Sequence, residues 1–456
     1  MKKRKSIKKD LLESDTQFLE KNIAILGGST THDIKEILEL FLLDNGIKPA
    51  FYESEYGQYW QDAIFDNEAL ESMNPDIAIV HTSNRNITNY PSSSSGAVEI
   101  NDMLNSQFEH FEEMWDKIRQ KYACPIIQNN FEMPFYRLLG NKDSSDIRGK
   151  TNYIIRLNMM FAEYAQEHSN FFINDINYLS ASYGLERWSD PLYWYMYKYC
   201  LCTPAIPMLG NSISNIIKSI YGKNKKALVL DLDNTLWDGI IGDDGVKGIE
   251  IGYDTSMGQA YSEFQSYIKQ QKKIGVLLTV NSKNDYENAI AGLNHPEGTL
   301  KPEDFLVIKA NWNDKDTNIR EIATELNLLP DSFVFIDDNP AERDIVYSNN
   351  PGIAVPEIEK IENYINIIDK AGYFEVTSLS EDDVNRNEMY KINIERTKLK
   401  QKYSNYNDYL LSLDMIAQIS DFDSIFIPRI AQLTNKVNQF NLLCICIHSD
   451  VPPIQH

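Results

Sequence analysis

The chain has 456 residues, 43% of them hydrophobic and 24% charged, with a formal net charge of −22. This length predicts two or three domains, and the acidic excess argues against general nucleic-acid binding, which needs a cationic face. The five cysteines form no disulfide framework, no apolar signal segment follows the basic N-terminus, and no apolar run is of membrane-spanning length. We therefore expect a cytoplasmic protein with neither a nucleic-acid nor a membrane partner.

The first part of the chain alternates short apolar segments with amphipathic ones. Residues 1–20 form a polar, helix-like lead-in, and helical patterns then separate five predicted strands, over residues 22–26, 49–52, 76–81, 125–128 and 171–174. Strands that alternate with helices predict a parallel sheet. We therefore expect residues 1–187 to form a three-layer α/β domain.

A glycine-rich turn, Gly27-Gly28-Ser29, follows the first predicted strand, and Gly57 and Asn84 come later in the chain. This order resembles the blocks of the SGNH family of esterases, which implies a serine nucleophile and an oxyanion hole made by a glycine and an asparagine. The family's downstream Asp-x-x-His pair is replaced here by Asp190-Pro191-Leu192-Tyr193. A serine without a general base is a poor nucleophile, so the sequence favours a diverged scaffold or docking domain.

Two interpretations of Ser29 remain open. The favoured one is structural, with Ser29 or Thr30 capping the helix that follows the turn. The other is a serine esterase in which His32 or His81 acts as the base. After this domain, residues 188–222 are rich in aromatic side chains, and we expect them to bridge two domains and to bury those side chains between them.

A second series of predicted strands begins at residue 227, and the candidate catalytic residues follow these strands. The apolar run 227–230 predicts a strand buried on both faces, and it ends at Asp231 and Asp233. A sheet interior does not tolerate such a pair, so the two acids must lie at the carboxyl end of the strand, where parallel α/β sheets bind ligands. Asp244-Gly245 is a hairpin-turn signal, so a β-hairpin is expected after this strand.

Three further strands, predicted over residues 274–280, 305–308 and 333–336, also end in polar residues. Ser282 follows the first of them, Lys315 begins the helix after the second, and Asp337 and Asp338 follow the third. Carboxylates that converge on one sheet edge repel one another unless a hard divalent cation binds between them.

Asp-x-Asp-x-Thr after a buried strand, with these later residues in this order, resembles the four motifs of the haloacid-dehalogenase (HAD) superfamily. The continuation Leu-Trp-x-Gly-x-Ile-Gly-Asp-Asp-Gly resembles its FkbH-like branch, subfamily IIIC. The resemblance implies a Mg²⁺-dependent phosphatase or phosphotransferase with an aspartyl-phosphate intermediate. It makes Asp231 the nucleophile and Asp233 the general acid and base, while Ser282 and Lys315 bind the phosphoryl group. The Mg²⁺ ligands it implies are the Asp231, Asp337 and Asp338 side chains, Asp338 through water, and the Asp233 backbone carbonyl.

The substrate is expected to be a phosphorylated small molecule or a carrier-linked one. The chain between the motifs is too short for a cap domain, and the open site that this implies suits a large substrate or a lid from another domain or protein. FkbH-like relatives also load a glyceryl unit from 1,3-bisphosphoglycerate onto an acyl carrier protein, which suggests a thiol near the phosphoryl site. Leu232 lies between the two aspartates, and no cysteine occurs between Cys202 and Cys444. Phosphate removal is therefore favoured, with carrier-protein loading and a non-catalytic scaffold or esterase as alternatives.

The sequence as a whole predicts an α/β protein with two three-layer domains that each contain a parallel sheet. The predicted units are a diverged SGNH-like domain (1–187), an aromatic bridge (188–222), a capless, Rossmann-like HAD core (223–370) and a truncated acetyltransferase-like segment (371–456). The motif Cys444-x-Cys446-x-His448 offers three metal ligands without a fourth, so a zinc site is not expected there.

Overall fold

The computed structural model describes residues 2–13 and 17–400. Its strands fall into two sheets within the compact unit Met1–Lys391. The predicted acetyltransferase-like segment and the Cys444–His448 motif lie largely or wholly outside the described residues. Among the helices of the described part of the chain, none is long and apolar enough to cross a bilayer.

The first sheet has five parallel strands in the order β2-β1-β3-β4-β5. They are β1 (Leu19–Gly27), β2 (Ile47–Glu53), β3 (Ile77–His81), β4 (Ile126–Asn129) and β5 (Phe171–Asn174). The second sheet has four parallel strands in the order β8-β7-β6-β9. They are β6 (Ala227–Leu230), β7 (Leu277–Ser282), β8 (Val307–Ala310) and β9 (Phe333–Ile336). The predicted α/β class with two parallel sheets is therefore confirmed.

Helices connect the strands, as parallel pairing requires. In the first half they are α1 (Lys2–Leu12), α2 (His32–Asp44), α3 (Tyr59–Ile64), α4 (Glu68–Met73), α5 (Ala97–Tyr122), α6 (Lys150–Glu167), α7 (Ile176–Tyr183), α8 (Leu185–Trp188), α9 (Pro191–Tyr197) and α10 (Ile206–Ile220). In the second half they are α11 (Ile241–Asp244), α12 (Ser256–Lys273), α13 (Tyr286–Leu293), α14 (Lys315–Leu326), α15 (Pro340–Asn349), α16 (Ile361–Ala371), α17 (Glu381–Val384) and α18 (Arg386–Lys400).

Each sheet is covered by helices because its strands are apolar on both faces. In β1, Ile23 and Ile25 pack against α2 and α10, whereas Ala24 and Leu26 pack on the opposite side against α5 and α6. In the second sheet, β6, β7 and β9 share one core with α12 and α16. Since the backbones are held on both sides, the carboxyl ends of the strands are rigid positions for polar side chains.

Three local expectations are wrong, and the first two concern turns. The N-cap of α2 is Thr31, without a side-chain cap bond, so neither Ser29 nor Thr30 caps this helix. The segment after β6 forms the helical turn α11 instead of a β-hairpin, and a single antiparallel bridge joins Asp238 to Glu250. The side chain of Asp244 accepts a hydrogen bond from the Ile240 backbone N–H over 2.8 Å, which closes a helical turn where a hairpin turn was predicted.

The third concerns the aromatic segment, most of which is not buried. Trp188 lies in the core beside the first sheet, but Tyr193, Tyr195 and Tyr197 on α9 are 41%, 71% and 49% exposed. No α9 residue is buried, because this short helix contacts the protein mainly through half-buried Trp194. The domain limits that were predicted around this segment stay a prediction.

Candidate active site

The carboxyl ends of the second sheet bring four predicted site residues to one edge. Asp231 directly follows β6, Ser282 is the last residue of β7, Lys315 begins α14 after β8, and Asp337 directly follows β9. The strands are all parallel, with β6 between β7 and β9, so these positions are neighbours in space although they are distant in sequence.

Lys315 links the two central acids. Its Nζ atom lies 3.0 Å from Asp231 Oδ1 and 2.5 Å from Asp337 Oδ2, and its side chain is almost completely buried. Its backbone carbonyl accepts a hydrogen bond from Asn281 Nδ2 over 2.9 Å, and Asn318 Nδ2 donates to Asn281 Oδ1 over 3.0 Å. The lysine therefore begins α14 at a fixed position despite the unfavourable macrodipole.

Burial changes the pKa values of the charged side chains in this cluster. Burial raises the pKa of Asp337 to about 7, and the neighbouring Asp231 charge adds to this effect. The pKa of Asp338 is raised by the same two causes in the same order. For Lys315, burial acts to lower the pKa, but the Asp231 and Asp337 carboxylates outweigh it, so the pKa of the ammonium is raised.

The same acids fit a hard divalent cation. Asp231, Asp337 and Asp338 each offer one carboxylate oxygen, and these three atoms lie within 4.8 Å of one another. Asp231 Oδ1 is buried and pairs with the Lys315 ammonium over 3.0 Å, which leaves lone-pair capacity on this oxygen for a cation. An all-oxygen set with a buried, incompletely satisfied acceptor is the donor chemistry that Mg²⁺ prefers, so the residues present fit this ion.

The carboxylate of Asp233 is held by its own set of hydrogen bonds. Its Oδ1 accepts hydrogen bonds from Trp237 Nε1 over 2.9 Å and from the Ile241 backbone N–H over 3.1 Å, and its Oδ2 accepts one from Asn284 Nδ2 over 3.0 Å. Burial raises the pKa of Asp233, while the bonds from Ile241 and Trp237 act to lower it. The metal role that the resemblance implied for its backbone carbonyl stays a prediction.

The loop after Asp233 is shaped by two polar residues. Asn234 has a φ angle of +55°, a left-handed conformation that asparagine tolerates better than most residues, and its Oδ1 accepts from the Gly239 backbone N–H over 3.0 Å. Thr235 Oγ1 accepts from the Asp338 backbone N–H over 3.3 Å. The Thr235 bond joins the loops after β6 and β9, which hold the acids.

Ser282 lies at the strand end where the sequence predicted it, and Asn284 nearby is a site residue that the sequence reasoning missed. Ser282 is 2% exposed, and its backbone carbonyl accepts a hydrogen bond from the Asn311 N–H over 3.2 Å. The N-cap of α13 is Asp285, and the Asn284 side chain donates to Asp233. The available signal was an asparagine two residues beyond the serine that ends β7, the strand that pairs with β6.

The edge of the first sheet carries a different polar network, which does not form a serine–histidine pair. Ser29 Oγ donates to Cys200 Sγ over 3.2 Å, and this sulfur lies 3.3 Å from His81 Nε2. His81 Nδ1 lies 2.8 Å from Asn129 Nδ2, an amide nitrogen that also donates to the Thr82 carbonyl, so His81 Nδ1 accepts the bond and Nε2 carries the proton.

Burial lowers the pKa of His81 to about 4 and raises that of Cys200 to about 12. His32, the other candidate base, lies beside Glu53 instead, with its Nδ1 3.9 Å from Glu53 Oε2. In this conformation neither histidine is placed to take a proton from Ser29.

Two comparisons with known proteins agree with this architecture. Residues 22–218 match the family model of the FkbH N-terminal domain. A solved structure of the N-terminal part of a Bacteroides fragilis protein, which contains a phosphatase domain and is complexed with Mg, matches 82% of this chain and 99% of its own, with a TM-score of 0.75 and 28% sequence identity.

Other solved structures are less similar. A putative acylhydrolase from Bacteroides fragilis matches 48% of this chain and 95% of its own with a TM-score of 0.27 and 13% identity. A GDSL-like lipase from Bacteroides thetaiotaomicron matches 48% of this chain and 97% of its own with a TM-score of 0.26 and 12% identity. Both scores are too low to bear on the fold or the function, and no curated protein matches the chain.

Proposed function

We propose that this protein is a Mg²⁺-dependent phosphatase or phosphotransferase that acts through an aspartyl-phosphate on Asp231. The observation that carries the proposal is the convergence of Lys315 with three acids, Asp231, Asp337 and Asp338, at the carboxyl edge of the second sheet. The likeness to a phosphatase-domain protein complexed with Mg supports it, and so does the match to the FkbH N-terminal domain.

In the first step, a carboxylate oxygen of Asp231 attacks phosphorus, and the bond from phosphorus to the leaving oxygen breaks. Asp233 gives its proton to that oxygen. Lys315 neutralises charge on the phosphoryl oxygens while it holds Asp231 in place, and the Ser282 hydroxyl binds one of those oxygens. Phosphoryl transfer depends mainly on alignment and charge neutralisation, which these fixed side chains provide.

In the second step, Asp233 accepts a proton from water, and the water oxygen bonds to phosphorus as the bond from phosphorus to Asp231 breaks. An alcohol in place of water gives transfer instead of hydrolysis. Mg²⁺, held by the Asp231, Asp337 and Asp338 carboxylates and the Asp233 carbonyl, would supply further charge neutralisation for the phosphoryl group.

The test is a screen of sugar, nucleotide and acyl phosphates for phosphate release with and without Mg²⁺. We expect Asp231→Asn to abolish turnover while its melting temperature shows a folded protein, because the amide is a poor nucleophile. Asp243→Asn is the matched control, since Asp243 is an exposed acid on α11, the helix that follows β6, and it should retain wild-type activity. Full activity in Asp231→Asn would refute the assignment of the nucleophile.

A second candidate function is the loading of a glyceryl unit from 1,3-bisphosphoglycerate onto an acyl carrier protein. The match to the FkbH N-terminal domain favours it. Against it, the free cysteines of the described residues, Cys124, Cys200 and Cys202, all precede β6, and Leu232 between the two aspartates is fully buried. Incubation with both substrates separates the two functions, because glyceryl-carrier protein indicates loading and free phosphate alone indicates hydrolysis.

A further inference from the structure

The three hydrogen-bond donors around Asp233 are shared unequally between its two carboxylate oxygens. Trp237 Nε1 and the Ile241 backbone N–H both donate to Oδ1, whereas Asn284 Nδ2 alone donates to Oδ2. Each carboxylate oxygen has two lone-pair sites. Oδ1 is therefore saturated by the protein, and Oδ2 keeps one free site.

We propose that Trp237 and Asn284 are positioning residues that hold Asp233 so that Oδ2 is the oxygen that exchanges the proton. This inference rests on the proposed function. In the first step, the Oδ2–H bond breaks and its proton goes to the leaving oxygen as the bond from phosphorus to that oxygen breaks and the bond to Asp231 forms. In the second step, a water proton returns to Oδ2 as the water oxygen bonds to phosphorus and Asp231 is released.

The three hydrogen-bond donors to Asp233 come from separate parts of the fold, so the carboxylate is held in one orientation. Trp237 lies in the turn after β6 and is fully buried, Ile241 begins α11, and Asn284 lies between β7 and α13. The turn returns the indole to Asp233 because Asn234 adopts a left-handed conformation. A carboxyl tied at both oxygens cannot rotate freely, and a general acid works only while it stays within hydrogen-bond reach of the reacting oxygen.

The two positioning side chains can each lose their donor with little change in shape. Trp237→Phe keeps an aromatic ring but removes the N–H, and Asn284→Leu keeps the approximate size but removes the amide. Trp312→Phe is the matched control, because the indole N–H of Trp312 donates to Asp285 Oδ1 over 2.9 Å and does not contact Asp233. All three variants thus lose one side-chain hydrogen bond near the same strand ends.

The experiment compares phenyl phosphate, whose leaving oxygen needs a proton, with p-nitrophenyl phosphate, whose leaving group departs without one. We expect Trp237→Phe and Asn284→Leu each to lower kcat on phenyl phosphate about tenfold, with KM little changed, since misplacing a general acid forfeits part of its effect. With p-nitrophenyl phosphate, the rate at which the first turnover releases nitrophenolate should fall by less than about threefold in the same variants. Trp312→Phe should match wild type on both substrates.

Other outcomes would overturn the inference in distinguishable ways. Equal losses on both substrates, a change in KM alone, or wild-type behaviour in both positioning variants would contradict the role of Trp237 and Asn284. If Trp237→Phe melts at a clearly lower temperature, Asn284→Leu, which leaves the buried indole in place, decides the question. Absence of Mg²⁺-dependent turnover in the wild type itself would refute the proposed function, and this inference would fall with it.

Discussion

Asp337 is a buried carboxylate that pairs with the Lys315 ammonium and is also a proposed ligand of Mg²⁺. Its Oδ2 pairs with Lys315, and its Oδ1 accepts the Asn339 backbone N–H over 2.9 Å, yet burial and the Asp231 charge raise its pKa to about 7. Addition of Mg²⁺ should therefore stabilise the protein, because the ion relieves repulsion between carboxylates that Lys315 only partly neutralises. At a concentration one hundred times its Kd, a ligand of the folded state adds about 2.7 kcal/mol to the free energy of unfolding.

We expect Asp337→Asn to lose most of this Mg²⁺-dependent stabilisation while it remains folded without the ion. The measurement is the free energy of unfolding by urea with and without Mg²⁺. Asp243→Asn should respond to Mg²⁺ as the wild type does. A full Mg²⁺ response in Asp337→Asn would show that the ion does not bind at this carboxylate.

Individual site residues could be predicted only where they carry a local anomaly. Asp231 and Asp337 stand out because acids directly follow apolar runs, and such a position has few explanations. Trp237 belongs to the segment that resembles the FkbH-like branch, but the resemblance assigned it no role, and an asparagine near a helix start, such as Asn284, is common in any fold. Their contacts with Asp233 depend on how β6 and β7 pair, which no local pattern encodes.

The connection from α12 to β7 is a turn that depends on glycine. Gly275 has a φ angle of +97°, and a Cβ atom there would lie 2.3 Å from the Asp383 backbone carbonyl oxygen. Gly245 also has a positive φ, of +65°, but a Cβ atom there would meet nothing within 4 Å. The two glycines thus share backbone strain but differ in the space around them.

We expect Gly245→Ala to lower the free energy of unfolding by about 1 kcal/mol through backbone strain alone. Gly275→Ala should cost about 1–3 kcal/mol more, because overpacking against a rigid backbone is added to that strain. Urea unfolding of both variants measures the difference. Equal losses would indicate that the α17 segment moves away from the turn at no cost.

At the scale of whole elements, strands were easier to predict than turns. The runs 171–174, 227–230 and 333–336 match β5, β6 and β9 at both ends, since a continuous apolar run between polar residues allows little choice. The β-hairpin after β6 was mispredicted because Asp-Gly favours a hairpin locally, whereas the Asp244 side chain accepts a hydrogen bond from the Ile240 N–H and closes a helical turn. The hydrogen bond between Asp244 and Ile240, four residues earlier, is a contact within α11 that the Asp-Gly pattern does not predict.

In the molecule as a whole, α10 joins the half of the chain that forms the first sheet to the half that forms the second. It packs on α2 beside the first sheet, while Lys218 Nζ near its end donates to the Gly372 carbonyl beyond α16 over 2.8 Å. The sequence placed a domain boundary just after this helix, because the polar residues 222–226 suggest a linker. Composition could not reveal that a buried lysine in the preceding helix contacts the second half.

Burial lowers the pKa of Lys218 from 10.5 to about 8, only partly opposed by the charge of Glu375. Between these two values the unfolded chain binds a proton that the folded protein does not. The contribution of Lys218 to stability therefore grows as pH rises from about 8 to 10.5 and is lost again as pH falls. At 1.36 kcal/mol per pKa unit, the full change is about 3 kcal/mol.

We therefore expect the free energy of unfolding of the wild type, minus that of Lys218→Met, to increase across this pH range. Subtracting the variant removes the titration of other groups, including the many buried tyrosines that both proteins share. Urea unfolding at several pH values measures the difference. A flat difference for Lys218→Met would mean that this lysine stays protonated throughout, with water reaching the contact between α10 and Gly372.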